Sequence, residues 1–443
     1  MPGKQLLIND DYTVAFMPGI GAAVSTEVKK ITRPNFAINK EASTKELLLW
    51  GENNDLPQQV IGDVRKDPEI GTLLNKLVNL LYSSGLAWGI PKVVNGVKSY
   101  DSLPANEDLI VKTFNRKTNI NRYISETAKD LYWFSNAFPE IVLEGSGKQI
   151  IQICAQAAEE CRFGPQNKST GLIDTCFINA QWPDASATDP LTKKIPVLDT
   201  YYDPSAQLQE KLRGLNYIYP LSVANPGNKF YQLADWNSIR ESGWLEVSQA
   251  IPKFKKAMLN NQMHLKYHIQ ISNLYWEKKF PGWQVMKDPE KTDVMRRELE
   301  AMQETLVGAE NAGKSIRSVI HHDFNTGKEF EMVKISPIDD KIPDGKYLED
   351  GKDASTYKMS AIGLHPALIG TLPNNGMAGA GSNIREAYNL HMLSIKAMQD
   401  LVLEPLNNLV IPFNGWNPEM EYYFNNQLMT TLDAGKETKQ KTS

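Results

Sequence analysis

The stretch from Ile362 to Leu409, IGLHPALIGTLPNNGMAGAGSNIREAYNLHMLSIKAMQDLVLEPLNNL, most constrains what this chain can fold into. It opens with a short apolar turn, Gly363-Leu-His-Pro-Ala-Leu-Ile-Gly370. A loop of small and polar residues follows: Thr371, Leu372, Pro373, Asn374, Asn375, Gly376, Met377, Ala378, Gly379, Ala380, Gly381 and Ser382. Its glycines leave it free of a fixed backbone shape. None of its side chains is charged. Asn383 and Glu386 then stand three apart, the spacing of a capping box, so a helix is expected to start there. Ile384, Tyr388, His391, Ile395, Met398, Val402, Leu406 and Leu409 recur at steps of three or four and share one face. Met392, Leu393, Leu401 and Leu403 widen that stripe, which predicts a long helix covered on most sides. A loop of free shape is thus presented from a rigid mount.

The rest of the chain reads as alternating helical and β-prone segments. Residues 1–45 are weakly patterned, with a basic lean from Lys29, Lys30, Arg33 and Lys40, and read as an extended arm. Asp67-Pro68 is a good helix start, Leu73, Leu74, Leu77, Leu80 and Leu81 form an apolar stripe, and Gly85 stops it. Asn106 to Phe138 reads as helical, ending at Pro139. Glu140–Glu144, Gln149–Ala155 and Asp174–Ala180 are short β-prone runs, with Arg162 and Trp182 flanking the last two. Tyr217-Ile-Tyr-Pro220 reads as a further strand and Asn225-Pro-Gly-Asn228 as a turn. From Trp236 to Glu277 the period is helical again, with a kink or a start near Pro252. A helix of roughly 28 residues there would be about 42 Å long. Asp288 to Val307 is another helix, Ser315–Ile320 and Glu329–Ile335 read as strands joined at Asn325-Thr-Gly327, and Lys346 to Ile362 reads as a polar helix. Met420 to Phe424 reads as a last strand. Helices and short strands in this order make an α+β chain.

Composition excludes several classes. The 443 residues carry a formal net charge of −4, without the basic excess of a dedicated nucleic-acid binder. A protein that DNA only slides past should lack that excess, because each phosphate contact adds salt-dependent grip. The three cysteines, Cys154, Cys161 and Cys176, are odd in number and make no Cys-x-x-Cys, which points to a reducing compartment. The first residues, MPGKQLLINDDYTV, have neither the apolar core of a signal peptide nor that of a membrane anchor. No apolar run approaches the ~20 residues of a membrane span.

Three motifs could carry chemistry. Gly308-Ala-Glu-Asn-Ala-Gly-Lys314-Ser315 matches the phosphate-loop pattern, but that loop works between a strand and a helix, and here a helix precedes and a β-prone run follows. A helix stop at Gly308 followed by a polar turn is the simpler reading. His321-His322-Asp323 and the pair His264/His268 could suggest a metal, yet adjacent histidines on a strand face opposite ways and no H-E-x-x-H is present. Arg296 and Arg297, like the other basic pairs, have acidic neighbours and read first as a solvated face. Tyr275, Trp276, Phe280 and Trp283 cluster in sequence, either as core packing or as an interface for another subunit or adaptor. No catalytic set and no cofactor fingerprint stands out, so no enzyme and no cofactor is expected.

The order of the Ile362–Leu409 stretch is a Gly-apolar-x-Pro-x-x-apolar-Gly turn, a Gly/Ser/Asn loop and a long helix ending in x-Pro-Leu. It resembles the portal (head–tail connector) proteins of tailed double-stranded-DNA bacteriophages. So does Trp50-Gly-Glu-Asn-Asn-Asp-Leu-Pro57 followed by a helix and a Gly turn. The resemblance runs from Trp50 to Phe424. It implies an N-terminal arm (1–45), a wing (46–245), a stem helix (246–277), a clip (278–342), a second stem helix (343–363), a channel loop (364–383), a long channel-side helix (384–411), and a wing return with a polar tail (412–443). Only Asn425 to Ser443 remain beyond the last strand, so a crown is minimal or absent. The implied protein is a homo-oligomeric ring of about twelve subunits with heterologous contacts, set at one capsid vertex. DNA would pass through it, and its partners would be the major capsid and scaffold proteins, the terminase large subunit and a head–tail adaptor, with no membrane. It would be made in the host cytoplasm and end in the virion. Two alternatives stay open: a nucleotide-binding enzyme built on Lys314, and another structural or scaffold protein of a phage-like particle.

Overall fold

The computed structural model describes residues 7–8, 14–17, 22–25, 37, 44, 46–94, 96–210, 214–262, 267–306, 320–323, 328–337, 346–370 and 381–429. Helices and antiparallel strands are mixed along the chain, as the α+β expectation has it. Two compact units form: Met1–Leu245 with Lys352–Ser443, and Glu246–Gly351.

In the first unit, Leu56–Arg65 and Ile70–Tyr82 are consecutive helices. The second starts at Ile70, two residues beyond the start that Asp67-Pro68 predicts, and the Asp67 carboxylate accepts from the amides of Glu69 (2.9 Å) and Ile70 (3.0 Å). The helical run expected from Asn106 to Phe138 is instead two helices, Ala105–Thr118 and Ile120–Phe134. Asn119 between them is left-handed (φ 53, ψ 56), a conformation that Asn tolerates and that breaks the helical ladder. Asn136–Leu143 then enters the sheet, with Pro139 inside the strand rather than ending a helix. That strand pairs with Ile150–Gln156 on one side and with Asn216–Ile218 and Leu221–Ser222 on the other, all antiparallel. A second sheet centres Thr175–Ile178 between Cys161–Phe163 and Lys193–Pro196. A third centres Leu86–Val94 between Val97–Asp101 and the returning strand Glu421–Phe424. The N-terminal arm contains strands Leu7–Ile8, Val14–Met17 and Ala22–Ser25 in one small antiparallel sheet, where only an extended arm is expected.

Two apolar clusters hold this unit. One packs Tyr123, Ile124 and Leu131 against Ile141, Ile153, Val402, Leu406 and Leu409. The other packs Trp50, Val60, Leu74 and Leu77 against Phe138, Cys161, Tyr231, Met359, Met392 and Ile395. Each fully buried aliphatic or aromatic side chain contributes ~1.5–3 kcal/mol of transfer free energy. The long helix expected from 384 to 411 is broken: Gly381–Ser394, Lys396–Pro405, a π turn Leu406–Val410 and a short helical piece Ile411–Phe413. Pro405 and Pro412 have no N–H for the ladder, and a π turn is a common way to absorb such a defect. Val402, Leu406, Leu409 and Val410 are fully buried, but Leu390 and Leu393 are exposed, so the first third of this run is not covered on most sides.

The second unit departs further from expectation. The helix predicted through Glu277 ends as Trp244–Gln262, with Pro252 inside it. Tyr267–Ile271 is a strand, paired antiparallel with Val333–Pro337. Helical and strand periodicity are hard to separate in a short apolar run, and the alternation Tyr267, Ile269, Ile271 is the strand signal that the longer helical pattern hid. Asn273–Lys279 and Asp288–Leu306 are helices, and Ile320–Asp323 pairs with Lys328–Glu331 as a hairpin. Lys346–Ile362 is helical, as expected, and at Gly351 an added Cβ would lie 3.9 Å from Ile251 Cδ1.

Candidate functional site

The described residues on either side of Thr371–Ala380 are firmly mounted, and the helix begins at Gly381, two residues before the start expected at Asn383, so Gly381 and Ser382 belong to it and not to the loop. Gly363 (φ 74) and Gly370 (φ 86) occupy the left-handed region that a Cβ disfavours. Between them Pro366–Leu368 forms a 3₁₀ turn whose first residue is capped by His365, Nδ1 accepting from the Ala367 amide at 3.2 Å. Leu364 and Ala367 are buried, Leu364 within the second cluster. On the far side Gly381 and Ser382 are the first residues of a helix, and Ala387, His391 and Met392 bury one of its faces. Burial lowers the His391 pKa, so the ring sits there neutral, as a packing group. Thr371 to Ala380 lie outside the described residues.

The aromatic cluster comes together as one body in the second unit. Trp276 is buried, stacks on Trp283 (5.4 Å) and Phe280 (6.1 Å), and meets Tyr275 edge-on at 5.2 Å. The Tyr275 hydroxyl and Lys279 both bond Glu298 of the Asp288–Leu306 helix. Burial works against charge on Glu298, but Lys279 and Tyr275 outweigh it and hold its carboxyl below the ordinary range. Lys279 and Lys291 sit over the Tyr275 and Trp283 rings at 5.2 and 5.9 Å. The cluster is therefore the packing that joins two helices of this unit. Arg296 and Arg297 both pair with Asp293, and Arg296 also with Glu300 at 3.3 Å, on an exposed helix face. Their charge is met within one or two turns, as a solvated face requires.

The nucleotide motif Gly308–Ser315, Lys314 included, lies outside the described residues. The elements on either side run from helix Asp288–Leu306 to strand Ile320–Asp323, the reverse of the strand-to-helix order a phosphate loop needs. His321 and His322 are consecutive strand residues, opposite Phe330 and Glu329. His268 is on another strand, and His264 is outside the described residues. Among the described residues no group of three or more His, Cys, Asp or Glu is placed to hold a metal ion, and no helix is long and apolar enough to cross a membrane. A cavity of about 290 Å³ in the first unit is lined by Phe138, Phe163, Leu198 and Phe230 with Asp174, Asp199 and Lys229, and Lys229 donates to the Ala37 carbonyl.

Two buried polar nodes stand apart from these motifs. Arg162 is fully buried and donates to Asn54 Oδ1 (2.6 Å), the Asn54 carbonyl (3.0 Å), Gln58 (3.1 Å) and the Cys161 carbonyl (2.8 Å). Its guanidinium lies 5.5 Å from the Trp50 ring and 5.6 Å from Trp182, and Trp50 stacks on Tyr231 at 4.6 Å. The Trp50–Pro57 segment is thus wound around one arginine. Gly51 (φ 84) completes it, since a Cβ there would fall 2.9 Å from Leu56 Cβ. The second node is Lys358, buried on the Lys346–Ile362 helix, with Asp67 at 2.8 Å and Glu69 at 2.9 Å. No local pattern announces either node, because the partners stand 108 and 291 residues away.

No protein-family model matches the chain, and no curated protein matches it. Solved structures do. A chain in the neck of an empty gene transfer agent (GTA) particle, computed with C6 symmetry, is similar with a TM-score of 0.56 at 16% identity, over 84% of this chain and 85% of that one. The likeness is one of fold. A chain in the virion of the native gene transfer agent particle gives 0.53 at 14% identity over 86% of each. One in the neck of the native particle, computed with C12 symmetry, gives 0.52 at 15% identity over 83% of each.

Proposed function

We propose that this chain is a structural subunit of the neck of a phage-like particle, a portal that forms a ring at one capsid vertex. The observation that carries the reading is the fold likeness to gene-transfer-agent neck chains over more than four-fifths of both chains. The resemblance of the Ile362–Leu409 stretch to phage portals points the same way from different grounds. In this reading the first unit carries the wing, Glu246–Gly351 holds the clip between two stem helices, and Thr371–Ala380 is the channel loop, with Gly381 and Ser382 in the helix that follows it. The work is mechanical. The ring docks the terminase motor, lets DNA pass inward, retains it and then mounts the neck or tail. Nucleotide hydrolysis belongs to the motor, and the chain needs no cofactor.

The loop's lack of charge suits this role, since a neutral loop can meet a duplex sterically without capturing phosphate. Electron microscopy of the purified protein, with sedimentation velocity alongside, tests the reading. Rings of about twelvefold symmetry with a channel wide enough for a duplex, about 20 Å or more judging from the B-DNA grooves, are expected. A stable monomer of single-chain mass would turn attention to nucleotide binding at Lys314, checked by nucleotide titration of the wild type and Lys314→Ala.

A further inference from the structure

The helix Gly381–Ser394 buries Ala387, His391 and Met392, the last of them in an apolar cluster, and leaves Leu390 (68%) and Leu393 (69%) exposed. Glu386, four residues before Leu390 and seven before Leu393, is on that same face, since seven residues make two turns. Asn389 holds the backbone of Met429 beside this helix through two bonds, at 3.0 and 2.9 Å, and so adds the half-exposed Leu428 and Met429 to the surface. The helix Ala105–Thr118 shows a matching face. It buries Val111, Phe114, Asn115 and Thr118 against the other cluster and exposes Leu109 (64%) and Ile110 (53%). Arg116, seven residues after Leu109, lies on that face. Neither Arg116 nor Glu386 has an ion pair among the described residues, whereas the nearby Lys112 and Lys396 are taken up by Asp108 and Asp400.

We propose that these two faces are the two halves of one contact between copies of this chain. Leu109 and Ile110 of one copy pack on Leu390 and Leu393 of the next, and Arg116 meets Glu386. Run antiparallel, the helices put leucine on leucine and arginine on glutamate at once, because both pairs are separated by seven residues, about 10.5 Å. The charges agree only in this sense; a parallel pairing would put Glu386 on Leu109 and Arg116 on Leu393. The faces are different surfaces mounted on different apolar clusters, so the contact is heterologous, the kind that closes into a ring. This rests on the ring reading above and names the surfaces through which the ring would form.

Charge reversal tests it on the full chain. Arg116→Glu and Glu386→Arg are both at exposed positions, and circular dichroism should show each variant folded. Each alone is expected to move the assembly midpoint in sedimentation velocity at least about tenfold to higher concentration, the equivalent of 1.4 kcal/mol. Combining them is expected to restore it. Leu393→Asp, which removes the apolar part, should prevent assembly with or without the charge pair. Single variants that assemble like the wild type, or a double variant no better than either single, overturn the contact while leaving the wild-type rings and the neck reading intact. A wild-type chain that sediments as a monomer at every concentration overturns the contact by removing self-association itself.

Discussion

At the scale of single residues, Lys358 shows how far a charge can be committed to one place. Its ammonium is almost wholly out of water between Asp67 and Glu69. Asp67 serves twice, accepting from Lys358 and from the first amides of the Ile70–Tyr82 helix. Burial pushes its carboxyl upward, but those bonds outweigh burial and leave it below the ordinary carboxylate value. A carboxyl depressed on folding adds stability above its unfolded pKa, about 3.9. That stability is lost as pH falls through the lower folded value. The wild type should therefore lose this contribution only in acid below about pH 4, read as a falling denaturation midpoint. Lys358→Met leaves the carboxylate buried without its cation and should cost about 3–5 kcal/mol at neutral pH. That loss should shrink as acid protonates Asp67. A loss independent of pH would mean that the Lys358–Asp67 charge pair is not what the substitution removes.

At the scale of elements, legibility follows the range of the forces involved. Lys346–Ile362 and Asp288–Leu306 are readable because their signals, Asp288-Pro289 at one start and the glycine turn at Gly363 after the other end, lie within or next to the segment. The strand Tyr267–Ile271 was not, because its partner Val333–Pro337 is more than sixty residues away and a five-residue run is too short to show its period among helical neighbours. Asn119 and Pro139 misled in the same manner: a left-handed break and a mid-strand proline are allowed by what packs on them, not by local preference. Gly89 is an element-scale constraint hidden in plain composition. A Cβ there would lie 2.7 Å from the Asp101 carbonyl and 3.2 Å from Tyr100 Cβ. Gly89→Ala should force Leu86–Val94 away from Val97–Asp101 and lower stability by about 1–3 kcal/mol in chemical denaturation. Gly62→Ala, in open space on a helix, should raise stability slightly instead, by about 0.5–1 kcal/mol.

At the scale of the whole molecule, the prediction concerns the segment between Gly370 and Gly381. On the ring reading, removing Asn374, Asn375, Gly376 and Met377 should leave assembly unchanged, since Leu364 and Met392 on either side are held in the buried core, and should impair DNA packaging or retention in a particle assay. Normal packaging by that variant would count against a channel loop there. The sequence by itself determined the α+β class, most of the helices and the glycine-bounded turn Gly363–Gly370, because capping, periodicity and turn chemistry act within a few residues. It also determined that Arg296 and Arg297 are answered locally, their acids lying one turn away. Tertiary structure alone decided which arginine and which lysine are buried. It also decided that Leu393, counted in the sequence among the covered positions, stands in the open on a helix whose other side is core. Those outcomes depend on partners brought together from across the chain, and burial is set by the neighbours a side chain finds once the chain has folded.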